Sequence, residues 1–229
     1  MTAKSEATIE GLRELVLRMG SLAESILVKA VRVVHERDGR LALEVQRDDL
    51  QLDRLDIEID DAVLRALALQ SPVAEDLRQV IAIKTMATDL ERVGDIARNI
   101  AKSGARLAER PRTDLPVRLE PLEREAIHQL AAALESFQNL NVVEAQAVLD
   151  GDDRLDRLQD DLVRDLIDRI ERDSSTSAQA VDVIFIAESL ERIGDHATNV
   201  AEEVILVAEA RNVKHAEKLA RYAAQERRR

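Results

Sequence analysis

The sequence predicts an all-α protein in which six helices form two tandem, internally repeated three-helix bundles. Three observations lead to this fold class. The 229 residues are 45% hydrophobic and 34% charged, with seven Gly, four Pro and almost no aromatic residues, a mixture typical of long helices. Apolar residues recur at helical spacing in six long stretches. Part of the sequence also recurs 100 residues later, which indicates an internal duplication.

Prolines and short polar breaks separate the six stretches. Because a helix interior excludes proline, Pro72 lies between two helices, and Pro111, Pro116 and Pro121 mark a linker between the two halves. Further breaks lie at 38–39, 139–141 and 173–177. The sequence therefore predicts a first three-helix repeat over 1–110, a proline-containing linker over 111–121, a second three-helix repeat over 122–210 and an Arg-rich C-terminal tail over 211–229.

The helices of the first repeat each carry an apolar stripe. In the first helix the stripe keeps three- and four-residue steps, as bundle packing requires, and comprises Leu12, Leu15, Met19, Leu22, Ile26 and Val33. The second helix is predicted over about 41–69, with Leu52, Leu55 and Ile59 on its stripe. The third is predicted over about 74–108, and the small residues Gly94 and Gly104 on its stripe should let a neighbouring helix approach closely.

The three helices of the second repeat follow from the duplication. The segment Leu-Glu-Arg-Val-Gly-Asp at 90–95 recurs as Leu-Glu-Arg-Ile-Gly-Asp at 190–195. At the same offset of 100, the segment Asp-Arg-Leu-Asp at 53–56 matches an identical segment at 153–156. This match predicts one ungapped register across the second and third helices of each repeat.

Acidic residues follow the apolar stripes of both repeats at helical spacing. On one helix face such residues are neighbours, about 100° round from the stripe positions. In the first repeat they are Asp49, Asp53, Asp56 and Asp60 on the second helix and Glu91 and Asp95 on the third. In the second repeat they are Asp152, Asp153, Asp156 and Asp160 on the second helix and Glu191 and Asp195 on the third.

Two interpretations of these acidic stripes remain open. Like charges four residues apart destabilise a helix unless a cation opposes them. Carboxylates without cysteine or paired histidine suit divalent metals such as Mg and Mn, or iron, so all twelve acidic residues are candidate metal ligands. The stripes are equally consistent with solvated acidic faces that are partly neutralised by Arg54, Arg92, Arg154 and Arg192.

Composition and missing motifs exclude several functions. The formal charge is −12 and the chain has one Tyr, two Phe and no Trp, which argues against nucleic-acid binding. The absence of Cys fits a reducing compartment, and no uncharged stretch approaches the roughly 20 residues that cross a bilayer, so we expect a cytoplasmic protein. The only Glu-x-x-His is Glu125 with His128, whereas a ferritin-like di-iron centre needs two. His196 is predicted to be a packing residue, and no catalytic constellation emerges, so we expect no enzyme.

The repeated Leu-Glu-Arg-(Val/Ile)-Gly-Asp motif, with Asn99 and Asn199 four residues after each Asp, resembles the signature of the PhoU family of phosphate-uptake regulators. The segment Gln-Ser-Pro-Val-Ala-Glu-Asp-Leu-Arg at 70–78 resembles a second marker of that family. The resemblance covers nearly the whole chain. It implies a six-helix adaptor, usually dimeric, that couples the phosphate ABC transporter to a sensor histidine kinase and represses the phosphate-starvation response when phosphate is plentiful.

The resemblance also implies partners and a metal site. The partners are the transporter's PstB-like ATPase subunit and a PhoR-like kinase, with membrane association only through them. Some family members bind metal clusters through Glu/Asp-x-x-x-Asp motifs, which here are Asp49/Asp53, Asp56/Asp60, Glu91/Asp95, Asp152/Asp156, Asp156/Asp160 and Glu191/Asp195. The alternatives to an adaptor are a carboxylate metal-binding protein, either a metal store or a di-metal enzyme, and a purely structural bundle.

Overall fold

A computed structural model describes residues 3–111 and 114–214 and confirms the all-α fold. Its six α-helices are α1 (Ala3–Glu36), α2 (Gly39–Gln70), α3 (Glu75–Ala108), α4 (Leu119–Asn139), α5 (Val142–Arg172) and α6 (Ser177–Glu209). A single turn of 3₁₀ helix, Ser174–Thr176, precedes α6, and the described residues contain no β-strand. Most of the predicted C-terminal tail, 215–229, lies outside the described residues.

Local signals in the sequence account for the helix boundaries. Asp38 caps α2 by accepting a hydrogen bond from the Arg40 amide, and Asn141 caps α5 in the same way by accepting from the Val143 and Glu144 amides. Helix α4 begins at Leu119, inside the predicted linker. Pro121 is therefore in its first turn, where a backbone N–H has no intrahelical acceptor and proline is tolerated.

The two repeats pack into one six-helix body with a continuous core. Helices α1, α2 and α3 form one bundle and α4, α5 and α6 form the other, while α3 packs against α6 and α1 touches α4. Buried apolar side chains from all six helices form a single cluster. Within the described residues, α2 packs only on α1 and α3, and α5 only on α4, α6 and the 3₁₀ turn. The outward faces of α2 and α5 are therefore the free sides of this body.

Glycine sets the distance between the second and third helices of each repeat. A methyl group at Gly94 of α3 would lie 2.3 Å from Leu52 Cδ2 of α2, and one at Gly194 of α6 would lie 2.1 Å from Leu155 Cδ2 of α5. Both leucines are buried. The close approach predicted from the small residues is thus present, with the same contact in both repeats.

These contacts show that the single register predicted from the duplication is wrong for α2 and α5. Gly94 and Gly194 are 100 residues apart, but the leucines that they contact, Leu52 and Leu155, are 103 apart, as are the first residues of α2 and α5. The structure therefore aligns Asp49 with Asp152 and Asp53 with Asp156. The sequence match at 53–56 misleads because acidic residues three apart still match one another after a shift of three residues.

Gly104 of α3 provides a test of the helix packing. A methyl group there would lie 3.0 Å from the Val34 backbone N and 3.0 Å from Val33 Cγ1 of α1, and backbone cannot move aside as a side-chain end can. Gly11 of α1 has open space around it. We expect Gly104→Ala to lower the free energy of unfolding by about 1–3 kcal/mol because of overpacking. Gly11→Ala should raise it by about 0.5–1 kcal/mol because Ala favours the helix.

Urea denaturation of the two variants beside the wild type measures both effects. A Gly104→Ala variant as stable as Gly11→Ala would contradict the close approach of α1 and α3.

Candidate functional site

In the first repeat, the acidic residues between α2 and α3 are joined by basic residues. Asp49 is only 1% exposed, and Arg98 Nη1 donates to its Oδ2 at 2.5 Å. The other guanidinium nitrogen, Nη2, donates to Asp95 Oδ1, also at 2.5 Å. Burial raises the pKa of Asp49, and Arg98 opposes that rise. One arginine thus connects a carboxylate of α2 with one of α3.

The acidic residues between α2 and α3 line what we call the first-repeat cleft. Two further cations, Lys84 and Arg92, pair with its remaining carboxylates. Lys84 of α3 contacts Asp60 and lies 3.7 Å from Asp56 Oδ1. Arg92 lies 3.4 Å from Glu91 Oε2 and donates to Asp95 Oδ2 at 3.3 Å. Of the six acidic residues predicted in the first repeat, the structure pairs all except Asp53 with a basic side chain of α3. The first-repeat cleft is therefore largely self-neutralised.

The second repeat keeps the acidic cleft but loses two of its cations. The positions of Arg98 and Lys84 are occupied by Thr198 and Ile184 in α6, and only Arg192 corresponds to a basic residue of the first repeat. Thr198 instead donates its hydroxyl to the Asp195 backbone carbonyl at 2.7 Å. We call the carboxylates that face one another here the second-repeat acidic cluster, and they are Asp152, Asp156, Glu191 and Asp195.

Burial and, after it, mutual repulsion raise the pKa values of the second-repeat acidic cluster. Partial burial, followed by the charges of Asp195, Asp156 and Asp152, raises the pKa of Glu191 to about 7, against a weak opposing effect of Arg192. Burial first, and neighbouring carboxylates second, also raise the pKa values of Asp156 and Asp195. The cluster therefore favours any bound proton or cation.

Not every predicted acidic residue belongs to a cleft. Asp153 and Asp160 are exposed on the outward face of α5, because the corrected register aligns them with the outward Leu50 and Ile57 of α2. Asp53 and Asp156 are aligned by that register and follow Leu52 and Leu155 by one residue. The twelve candidates thus form one neutralised cleft, one acidic cluster and two surface residues.

The two clefts differ in how they would suit a metal ion. In the first repeat most of the carboxylates pair with Arg98, Lys84 or Arg92, so a metal ion there would have to displace these cations. In the second repeat the all-oxygen donor set and its raised pKa values suit a hard cation. Among the described residues, however, no three His, Cys, Asp or Glu side chains converge as metal ligands. The metal assignment thus stays a prediction.

Sequence reasoning missed a set of polar contacts that join the two repeats. Asp89 of α3 is buried and bonds His196 Nδ1 at 2.8 Å and the Asn199 amide at 2.9 Å, both from α6. His196 was predicted to be a packing residue, and the structure adds this hydrogen bond to its partly buried position. A sequence separation of 107 residues leaves no local signal for such a pair.

Two other buried carboxylates lie at the same junction. Asp182 of α6 pairs with Arg106 at 2.8 Å and with Arg110 at 3.0 Å. Glu123 of α4 pairs with His35 Nε2 of α1 at 2.7 Å, and burial raises its pKa. Each contact crosses from one repeat to the other, so the repeats are held together by specific pairs as well as by apolar packing.

The fold, with one acidic cleft in each repeat, defines a class of protein, the tandem three-helix bundle with acidic faces. Among the described residues we recognise no catalytic group. The sequence model of the PhoU domain matches this chain twice, over residues 16–104 and 119–204. The chain belongs to the PhoU family. The two matched segments coincide with the two bundles, and the second is three residues shorter, as the corrected register requires.

Relatives with known names and structures agree with this assignment. The phosphate-specific transport system accessory protein PhoU of Serratia marcescens is 32% identical over 94% of this chain and 88% of its own length. The Escherichia coli protein of that name is 30% identical over 94% of this chain and 89% of its own length. The crystal structure of PhoU from Pseudomonas aeruginosa superposes with a TM-score of 0.87 at 31% identity, covering 90% of this chain and 99% of that one.

The helices were compared in length and apolar character with a membrane-spanning segment. None of the helices in the described part of the chain combines the length and the apolar character needed to cross a bilayer.

The pKa of Glu191 predicts how stability changes with pH. Because the folded pKa of about 7 exceeds the usual glutamate value of 4.5, the folded state binds more protons than the unfolded state between these two pH values. The stability that this group contributes is full below pH 4.5 and is lost as the pH rises through 7. We therefore expect Glu191→Gln to be more stable than the wild type at pH 8 and nearly unchanged at pH 4.

Thermal midpoints across this pH range measure the effect. Glu188→Gln, on the exposed side of the same helix, is the matched control and should follow the wild type at every pH. An advantage of Glu191→Gln that does not grow with pH would contradict the raised pKa of Glu191.

Proposed function

We propose that this chain regulates phosphate transport as a non-catalytic accessory protein. Its membership of the PhoU family and the names of its relatives support this role. In this proposal it acts in the cytoplasm and couples the transporter's PstB-like ATPase subunit to a PhoR-like sensor histidine kinase. It reaches the membrane only through these partners and represses the phosphate-starvation response when phosphate is plentiful.

The second-repeat acidic cluster is the observation on which the proposed partner contact rests. Glu191 and Asp195 have no counterpart of the Arg98 and Lys84 that pair with the first-repeat carboxylates, and burial, followed by neighbouring carboxylates, raises their pKa values. A basic surface on a partner would relieve that repulsion, and charge complementarity also speeds encounter. The first-repeat cleft offers little such gain. We therefore assign docking of a basic partner surface to the second repeat.

The same charge argues against direct binding of phosphate to this face. The chain carries a formal charge of −12, and a carboxylate cluster repels an anion. The phosphate signal then arrives through a protein partner, as an accessory role requires.

Binding of the purified ATPase subunit tests the docking site. We expect Glu191→Gln/Asp195→Asn to weaken the complex about tenfold or more at low salt, since two charge pairs are lost. The salt dependence of binding should also become shallower. Asp153→Asn/Asp160→Asn, which removes two charges from the outward face of the same repeat, is the matched control and should bind like the wild type.

Equal losses from the two double variants would show that only net charge matters and would remove the cluster as the contact. The cytoplasmic part of the sensor kinase, assayed with the same variants, tests the second partner.

Cation binding by the same cluster is the second candidate, and the raised pKa of Glu191 favours it. After extensive dialysis and reloading with Mn, Mg, Zn or ferrous iron, elemental analysis should find metal in the wild type. Glu191→Gln/Asp195→Asn should lose it. Glu91→Gln/Asp95→Asn should retain it, because Lys84 and Arg98 already occupy the first-repeat cleft.

Absence of metal from all three proteins would contradict cation binding and leave docking intact. A metal store or di-metal enzyme would require retained metal together with storage or turnover.

A further inference from the structure

A groove of about 420 Å³ lies between α4 and α5 of the second repeat. This volume is within the range of small-molecule sites. Ala132, Ala147 and Val148 line the groove with apolar side chains, and Glu135 and Glu144 line it with carboxylates. We call it the α4–α5 groove. It is separate from the second-repeat acidic cluster, which lies between α5 and α6.

Two oxygens in the α4–α5 groove have no hydrogen-bond partner among the described residues. Gln129 is only 3% exposed and lines the groove, and its Oε1 is buried without a donor. Glu144 Oε2 is likewise buried without a donor. A buried acceptor that receives no hydrogen bond costs free energy, so native proteins leave few of them. Both atoms therefore point to a ligand that carries hydrogen-bond donors.

The first repeat provides a reference for this groove. Helix α1 aligns with α4 at the same offset of 103 residues that relates α2 to α5. At this offset the positive-φ residues Arg37 and Leu140 coincide, and so do the capping residues Asp38 and Asn141. Each residue of the α4–α5 groove can thus be compared with its counterpart between α1 and α2.

The first repeat fills the corresponding space with an ion pair of its own. Lys29 Nζ of α1 donates to Asp48 Oδ2 of α2 at 2.6 Å. The aligned residues of the second repeat are Ala132 and Gly151, which carry no charge and little bulk, and both line the groove. Loss of this ion pair therefore leaves the space between α4 and α5 open.

The second repeat also places polar groups where the first repeat is apolar. Three positions change in this way, namely Leu22 to Glu125, Ile26 to Gln129 and Leu41 to Glu144. Because the first repeat packs with apolar residues at these positions, bundle packing does not require the polar groups. The charge reverses at a fourth position, where Arg32 is replaced by Glu135. The α4–α5 groove has thus lost its internal cations and gained acceptors.

The remaining charges of the groove favour a cation. Arg154 lies 3.2 Å from Glu125 Oε2, so these two charges compensate each other. Glu135 and Glu144 have no ion-pair partner among the described residues. His128 is exposed at the edge of the groove. Since these groups do not converge as metal ligands, a cation with an organic body fits better than a metal ion.

We propose that the α4–α5 groove binds a small aliphatic ammonium ion, of which a linear diamine is the simplest form. An ammonium group has three donors and no acceptor, which matches the unpartnered oxygens of Gln129 and Glu144. Its alkyl chain packs on Ala132 and Val148. The ligand thereby takes the place of the Lys29 side chain of the first repeat, which is itself an alkylammonium ion. This inference does not depend on the proposed function.

Isothermal titration calorimetry of the full chain with diaminobutane tests the proposal. We expect saturable binding by the wild type and none of butanediol, which has the same carbon chain without the charges. Glu135→Gln/Glu144→Gln should weaken binding about tenfold or more, because two charge-assisted hydrogen bonds are lost. Asp153→Asn/Asp160→Asn removes the same charge from the outward face of α5 and should bind like the wild type. Glu191→Gln/Asp195→Asn should also retain this binding.

A transplant of first-repeat residues gives a second test. Gln129→Ile/Ala132→Lys/Gly151→Asp rebuilds the ion pair of the first repeat inside the groove. The change at Gln129 also clears its Nε2, which lies 2.1 Å from a methyl group placed at Gly151. We expect this variant to fold, as judged by circular dichroism and its thermal midpoint, and to bind no diaminobutane.

Gln129→Met separates a binding role from a structural one. The side chains have similar volumes, and the change removes the unpartnered oxygen. We expect the thermal midpoint of the unliganded protein to stay the same or rise, and binding of diaminobutane to weaken about tenfold, since a hydrogen bond to a charged group is lost. A lower midpoint with unchanged binding would assign Gln129 to packing and remove it from the site.

Four results would overturn the proposal. They are no binding of diaminobutane by the wild type, equal binding of butanediol, equal losses from Glu135→Gln/Glu144→Gln and its outward-face control, and full binding by the folded transplant variant.

Discussion

The close contact of glycine with leucine is the constraint on which both repeats depend. Because Gly94 and Gly194 have no side chain, Leu52 and Leu155 pack directly against the backbone of the neighbouring helix. This contact fixes the separation and the register of the two helices together. The acidic residues next to these positions must then face each other across a narrow cleft. The geometry of the candidate site is therefore a consequence of helix packing.

The same backbone supports opposite electrostatics in the two repeats. Arg98 and Lys84 cancel the first-repeat cleft, and their replacement by Thr198 and Ile184 leaves the second-repeat acidic cluster without that compensation. The outward faces of α2 and α5 also differ. Leu50 and Ile57 are exposed on α2, whereas the aligned residues of α5 are Asp153 and Asp160. The two copies of a duplicated fold thus differ in the charge of their clefts and in the character of their outward faces.

Ion pairs and hydrogen bonds of buried carboxylates connect the two repeats. Asp89 with His196, Asp182 with Arg106 and Glu123 with His35 each connect one repeat to the other. Removing one partner of such a pair leaves an uncompensated buried charge, which is more costly than losing an exposed pair. The repeats also share one apolar core, so they pack as a single unit.

The sequence by itself determined the six helices, the breaks between them and the alignment of α3 with α6, because periodicity, proline and the repeated motif are local signals. It also identified the acidic residues. Only the tertiary structure decided the register of α2 against α5, since acidic residues spaced by three match in either alignment. It alone decided which carboxylates are neutralised, because Asp49 and Arg98 are 49 residues apart and meet only through packing of α2 on α3.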